Sequence, residues 1–316
     1  MKICVVGAGA MGCLFGGYLA KSGHEVWLIA RSQDHIDTLS ERGLGIRYGS
    51  HSQRIAVKAS CDPKDAGVCD VVIVMTKFPD TASALESAKS IIGPDTIMVT
   101  LQNGIGNVEI IGSYADPERV LFGVTTLGAI RLEPGEIEVT AGTHAKTYLW
   151  SEAGVETSAL KEFLSALTES GFDAIAAPNA KEQVWRKLCI NSCISVLTAI
   201  VGLKVGPLVE LPSACSLIRN LVLEITAVAT KEGVPLDPHQ VYEELISESR
   251  GAADHTPSIL IDVVSNRKTE IECLNGAIVE ASAKHGISTP YHNAIASLIE
   301  AIEQSYDDRF SLPHSG

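Results

Sequence analysis

Apolar residues fall along the first half of the chain in short, dense runs separated by stretches of helical spacing. Lys2–Gly7 is rich in β-branched residues, Met11–Ser22 has a helical pattern, Glu25–Ala30 reads as a second strand and Asp34–Arg42 as a polar helix. Arg54–Ser60 reads as a third strand. Val71–Thr76 and Thr96–Leu101 are apolar at nearly every position, as strands covered on both faces are, and Thr81–Ile92 between them has helical character. This βαβ alternation predicts a doubly wound parallel sheet of the α/β class. Farther on, Leu121–Ile130 and Glu136–Thr140 flank Glu133-Pro134-Gly135, which predicts a turn and a β-meander extending that sheet. Glu156–Glu169 is expected to be helical and Asp173–Ala176 to form a last short strand.

After Pro178 almost no strand signal remains. Ala180–Ile200, Cys215–Glu232, Pro238–Glu248, Pro257–Val264, Thr269–His285 and Pro290–Tyr306 all carry helical patterns. The chain is therefore expected to divide near residue 178, with an α/β domain over 1–178 and an all-helical domain over 179–316. There are no internal repeats, and the last few residues are expected to fray.

Composition narrows the class. The chain has 316 residues, 46% hydrophobic and 20% charged, enough for two globular domains. Apolar stretches are interrupted by glycine and polar residues, so no transmembrane helix is read. The apolar N-terminus carries glycines at 7, 9, 12, 16 and 17, unlike a secretory leader. A formal net charge of −13 argues against nucleic-acid or anionic-membrane partners and leaves room only for a local basic pocket. Eight cysteines are scattered without a C-x-x-C pair, which fits reduced thiols in the cytoplasm. Cys189 and Cys193 are four apart with no histidine nearby, so no metal site is read.

Gly7-Ala8-Gly9-Ala10-Met11-Gly12 is G-x-G-x-x-G, set after an expected strand and opening an expected helix. Gly7 permits the tight turn, Gly9 lets a pyrophosphate approach the backbone, and Gly12 lets helix pack on strand. With this loop the α/β domain reads as a Rossmann fold binding a dinucleotide, the plain alternative being a glycine-rich turn. NAD sites usually end the second strand in an acidic residue for the ribose 2′-hydroxyl. Here Ala30-Arg31-Ser32 stands instead, which favours a 2′-phosphate and hence NADPH; Arg31 could equally be an ordinary surface arginine. Lys77 and Asn103 follow two buried strands, at the strand ends where such sheets bind ligands, and the plain reading of each is loop solvation or turn formation.

Lys187, Asn191 and Ser195 recur at every fourth position of a helix that is apolar nearly all round. They form either a narrow solvated stripe or the polar wall of a site, in which Lys187 is a candidate proton donor. Thr256-Pro257-Ser258 reads as the capped start of a helix whose amides and Ser258 hydroxyl suit a carboxylate. Glu270 reads as a first-turn acid of the next helix, which dipole complementarity alone explains.

Together these motifs resemble the ketopantoate reductase (2-dehydropantoate 2-reductase) family over nearly the whole chain. The matching residues are Gly7-x-Gly9-x-x-Gly12 with Arg31, Thr76-Lys77, Gln102-Asn103-Gly104, Val184-Trp185-Arg186-Lys187-Leu188 with Asn191, and Leu197-Thr198-Ala199-Ile200. Ser258 with Asp262, and Lys268-Thr269-Glu270-Ile271 before Asn275-Gly276, complete the set. The resemblance implies NADPH-dependent reduction of 2-dehydropantoate to pantoate, toward pantothenate and coenzyme A. It implies Lys187 as general acid, Glu270 as its anchor, and Asn191, Ser195, Ser258 and Asn103 as substrate contacts. It places Gly7 to Gly12, Arg31, Lys77 and Asn103 at the cofactor. The chain departs from the family at Ser195, Val205 and His255, where asparagines are expected. A reductase of another 2-keto acid, a non-catalytic NADPH-binding regulator and an NAD enzyme are the alternatives, and a homodimer is left open.

Overall fold

The computed structural model describes residues 1–140 and 145–308, so the expected fraying of the last residues lies outside the described residues. The chain forms two compact units. The first comprises Met1–Gln102 and Gly106–Gln183; the second comprises Asn103–Ile105 and the chain from Val184 onward.

The strands of the first unit are β1 (Lys2–Val6), β2 (Glu25–Ile29), β3 (Leu44–Tyr48), β4 (His51–Ile55), β5 (Lys58–Ser60) and β6 (Cys69–Val74). They continue with β7 (Ile92–Thr100), β8 (Val120–Thr125), β9 (Ala129–Glu133), β10 (Glu136–Val139), β11 (Lys146–Ser151) and β12 (Asp173–Ala176). Eight of them make one sheet in the order β12-β11-β8-β7-β6-β1-β2-β5. From β5 to β8 every pairing is parallel, in the doubly wound order expected from the βαβ pattern. β11 then runs antiparallel to β8 and parallel to β12.

Side chains of β1 alternate between two cores. Ile3 and Val5 pack with α1 (Ala10–Lys21) and, later in the chain, α5 (Ser158–Glu169). Cys4 and Val6 pack with α3 (Thr81–Ala88) and α4 (Asn107–Gly112). Burial on both faces explains the unbroken apolar run of Val71–Val74, each side chain worth about 1.5–3 kcal/mol when fully covered. The remaining helix, α2 (Gln33–Arg42), is capped by Ser32, whose hydroxyl accepts from the His35 amide.

Two expectations about strands are corrected. Arg54–Ser60 is not one strand: β4 and β5 are separate and lie in different sheets, because β4 forms a hairpin with β3 while β5 adds to the edge of the large sheet beside β2. The meander extends the large sheet only in its first part: Leu121–Ile130 divides into β8, which adds to that sheet, and β9, which does not. β9 and β10 join β3 and β4 in a second, four-stranded sheet, order β4-β3-β10-β9, where Ile137 is buried with Leu44, Ile46 and Ile55. The place beside β8 is taken by β11.

Among the described residues the second unit is helical: the second part of α6 (Ala180–Ile190), then α7 (Val196–Val201), α8 (Val205–Val209), α9 (Pro212–Lys231), α10 (Pro238–Gly251), α11 (Ser258–Val264), α12 (Asn275–Lys284) and α13 (Pro290–Gln304). The single helix expected over Ala180–Ile200 is interrupted by a π-turn at Asn191–Ser195. By length and hydropathy alone Ala180–Val201 and Pro212–Lys231 could each cross a membrane. In the first, Trp185, Leu188, Ile194 and Leu197 are buried; in the second, burial is confined to a stripe that includes Ile218, Leu221, Val222 and Ile225.

Candidate functional site

The first unit contributes the glycine loop. Gly7 has φ +106° and packs so closely on the segment after β6 that a Cβ would lie 2.5 Å from the Thr76 nitrogen. A Cβ on Gly12 would lie 2.2 Å from the Gly7 carbonyl oxygen. Gly9 is different: nothing lies within 4 Å of where its Cβ would be. No contact within the described chain demands glycine there, yet the open space is what an approaching phosphate group requires. Gly9 is the N-cap of α1, whose first turn carries no acidic residue, so the positive end of the helix is left for an anion. Ala8 completes the loop, and Ala10 and Met11 open α1.

The ends of β1, β6 and β7 meet here. The Met75 amide donates to Val6 O at 2.8 Å, and Gln102 Nε2 donates to Thr76 O at 2.7 Å and to Thr81 Oγ1 at 2.9 Å. Gln102 thus ties β7 to the Thr76-Lys77 segment, a role the sequence motif did not specify. Lys77 is the N-cap of a short 3₁₀ turn, Phe78–Asp80. At the end of β2, Arg31 donates to both carboxylate oxygens of Asp80, at 3.0 and 2.7 Å. The guanidinium side chain is 85% exposed, so the pair is weak and displaceable.

The second unit contains a small cavity open to solvent. Asn191 and Ser195, from the π-turn, line it together with Ser258 and Glu270. Asn103 also lines it, and donates from Nδ2 to Glu270 Oε2 at 3.3 Å. Five sequence-identified residues are therefore gathered at one cavity. Ile259, Asp262 and Leu274 complete its wall; Ile259 and Leu274 drew no notice in the sequence because their apolar pattern is that of any helix core. Asp262 is buried and accepts from Arg267 Nε at 3.0 Å.

Asn103 owes its place to Gly104. With φ +82°, Gly104 lies against the Cys273 backbone, where a Cβ would be 2.2 Å from its carbonyl oxygen. The Ile105 amide donates to the same oxygen at 3.2 Å. Asn-Gly here is a close-approach device, not simply a turn former.

Lys187 lies one helical turn before Asn191 on α6. Burial pushes its pKa down to about 8, against the pull of the Glu270 carboxylate, which favours the ammonium. Three local expectations change. α11 starts at Ser258 with Pro257 as N-cap and no side-chain cap, so Thr256 does not cap it. Glu270 is not in the first turn of a helix: it precedes a 3₁₀ turn at Ile271–Cys273, and α12 begins only at Asn275, so dipole complementarity no longer accounts for it. Val205 and His255 are joined by a backbone hydrogen bond at 3.3 Å but do not line the cavity, whereas Ser195 does.

Residues 3–151 match the family described as ketopantoate reductase PanE/ApbA, and residues 179–303 match its C-terminal part. A Streptococcus pyogenes serotype M3 protein named 2-dehydropantoate 2-reductase is 30% identical over 304 residues, which cover 96% of this chain and 98% of that one. The solved structure of D-mandelate dehydrogenase with NADH and anilino(oxo)acetate is similar with a TM-score of 0.90 at 30% identity, covering 97% of this chain and 100% of that one. The structure of 2-dehydropantoate 2-reductase from Geobacter metallireducens GS-15 gives a TM-score of 0.88 at 26% identity, covering 95% and 99%. With both halves matched and the likeness running along nearly its whole length, the chain belongs to the ketopantoate reductase family of oxidoreductases acting on CH–OH donors.

Proposed function

We propose that this chain reduces 2-dehydropantoate to pantoate with NADPH, as a cytoplasmic step toward pantothenate and coenzyme A. Residues 1–178 would bind the cofactor and 179–316 the substrate. The observation that carries the reading is the gathering of Asn103, Asn191, Ser195, Ser258 and Glu270 at one polar cavity, with Lys187 one helical turn before Asn191 and its ammonium favoured by the Glu270 carboxylate.

The glycine loop fits a dinucleotide, with open space over Gly9 and an α1 N-terminus free of acidic residues. When bound, the reduced nicotinamide supplies the hydride. The chain's own residues do the rest. Lys187 donates a proton to the ketone oxygen as negative charge develops there, and its lowered pKa brings it near the operating pH, where a general acid works best. Glu270 keeps that lysine protonated enough to act. Asn103 orients Glu270 through its 3.3 Å hydrogen bond, and Asn191, Ser195 and Ser258 offer polar groups for the acid's carboxylate and hydroxyl.

Arg31 supports NADPH, since the end of β2 offers a guanidinium for a 2′-phosphate. Its bidentate pair with Asp80 favours a second reading, NADH, because a 2′-phosphate must compete with that carboxylate. A different 2-keto acid is the second reading for the substrate, favoured by Ser195, Ile259 and Leu274 in the cavity wall and by the likeness to D-mandelate dehydrogenase. The test is kcat/KM for 2-dehydropantoate, phenylglyoxylate and branched 2-keto acids, each with NADPH and NADH, in wild type and Arg31→Ala. We expect 2-dehydropantoate with NADPH to lead, and Arg31→Ala to raise KM for NADPH about tenfold while sparing NADH. Another acid ahead by about a hundredfold overturns the substrate. NADH preferred and Arg31→Ala silent overturns the cofactor.

A further inference from the structure

His35 lies beneath the glycine loop. It is the third residue of α2 and is 1% exposed. Its Nδ1 accepts from the Gly135 amide at 2.9 Å, which requires Nδ1 to be unprotonated and places the ring hydrogen on Nε2. Nε2 is 3.0 Å from the Ala8 carbonyl oxygen and donates to it. The Cys13 thiol, on α1, donates to the same oxygen at 3.4 Å. Gly135 forms the turn between β9 and β10, and that turn is itself held by the Gly45 amide, which donates to Gly135 O at 2.8 Å.

A trans peptide points its C=O and its N–H in opposite directions. Holding the Ala8 oxygen inward therefore fixes the plane of the Ala8–Gly9 peptide. Ala8 is 2% exposed, whereas Gly9 is exposed with open space over it. Turned over, this peptide would bring a carbonyl oxygen toward the face on which an anion must bind. Gly9 has no Cβ to resist such a flip; the Gly9 amide holds one end of the peptide through Gly7 O at 2.8 Å, and His35 holds the carbonyl end from outside the loop. The amides of Gly7, Ala8 and Gly9 are already bonded to backbone oxygens, which leaves the first-turn amides of α1 for a pyrophosphate.

We propose that His35 is a positioning residue for dinucleotide binding: it clamps the Ala8–Gly9 peptide with its carbonyl inward and braces the glycine loop against the β9–β10 turn of the second sheet. The proposal rests on the dinucleotide reading of that loop. It gives the second sheet a function, as the buttress of the cofactor loop.

Two variants separate the two ring contacts. His35→Gln keeps a donor near the Nε2 position, and His35→Asn keeps an acceptor near Nδ1 but no donor that reaches Ala8. Kd for NADPH and for NADH is read by fluorescence titration, with Tm and kcat measured alongside. His35→Asn is expected to raise Kd about tenfold for both dinucleotides, the loss of one buried donor, with kcat at saturating cofactor little changed. His35→Gln is expected to stay within about threefold of wild type. Wild-type affinity in a folded His35→Asn protein, or equal losses in both variants, overturns the proposal. Should either variant not fold, nitrogen NMR of histidine-labelled wild type decides: the Nε2–H tautomer at His35 is required, and an Nδ1–H tautomer overturns the proposal. Wild type that binds neither dinucleotide overturns the loop reading and the proposal with it, whereas binding insensitive to His35 overturns the proposal alone.

Discussion

Gly7 and Gly9 stand two positions apart and answer to different constraints. Gly7 is fixed by the chain itself, through φ +106° and the press of Thr76. Gly7→Ala should cost about 2 kcal/mol or more of stability, from backbone strain and the backbone clash together. Gly9 has no such neighbour, so Gly9→Ala should leave stability within about 0.5 kcal/mol and weaken dinucleotide binding. Thermal unfolding and cofactor titration of the two variants check this, and the reverse order would contradict it. Lys187 makes a second prediction. The folded chain lowers its pKa to about 8 from the ordinary lysine value, so the ammonium is lost as pH rises through about 8. In the proposed mechanism reduction uses the ammonium, so its kcat/KM should fall through that pH. Oxidation of the hydroxy acid needs the neutral amine and should rise through it. Glu270→Gln removes the charge that sustains the ammonium and should move both limbs to lower pH. Profiles in the two directions test the sign, and limbs unmoved by Glu270→Gln would argue against the pairing.

The π-turn at Asn191–Ser195 shows why part of the site was legible and part was not. The sequence placed Lys187, Asn191 and Ser195 on one face of a helix, and the last two do line one cavity. The π-turn left no trace in the pattern, because a helix apolar on nearly every side gives no phase against which an inserted residue can be seen. The buried strands β1, β2, β6 and β7 were legible from runs covered on both faces. β3 and β4 were not, because β3 is placed by a partner distant in sequence, β10, and β4, its hairpin partner, carries mostly exposed positions. The break before α12 was hidden for a related reason: Glu270, Glu272 and Asn275 are compatible with a helix, and the turn is held by partners distant in sequence, Gly104 against Cys273 and Glu303 on the Thr269 amide. The π-turn is also braced from α12. Asn275 Nδ2 is buried and donates to Ser192 O at 3.0 Å, and it lies 3.0 Å from His292 Nδ1. Asn275→Ala should leave those buried acceptors unpaired and cost about 1–3 kcal/mol, read as a lower unfolding midpoint in urea. A midpoint equal to wild type would show that the brace contributes nothing.

Across the whole chain, each unit carries different residues that the proposed function uses. The first has the doubly wound sheet with its glycine loop at the carboxyl ends of the strands, and the second gathers Asn103, Asn191, Ser195, Ser258 and Glu270 at one cavity. The family follows from both halves together. Of the three departures noted in the sequence, Ser195 is the one that lines the cavity, so under the proposed function it is the one expected to bear on substrate choice. A protein that merely binds NADPH would keep the glycine loop and have no use for Lys187. Pre-steady-state oxidation of NADPH in the presence of 2-dehydropantoate, compared between wild type and Lys187→Ala, tests this most directly. Wild type is expected to show keto-acid-dependent oxidation, and the variant a loss of about a hundredfold or more with the Kd for NADPH nearly unchanged. Unchanged turnover in Lys187→Ala, or no oxidation by wild type with any 2-keto acid, would contradict it.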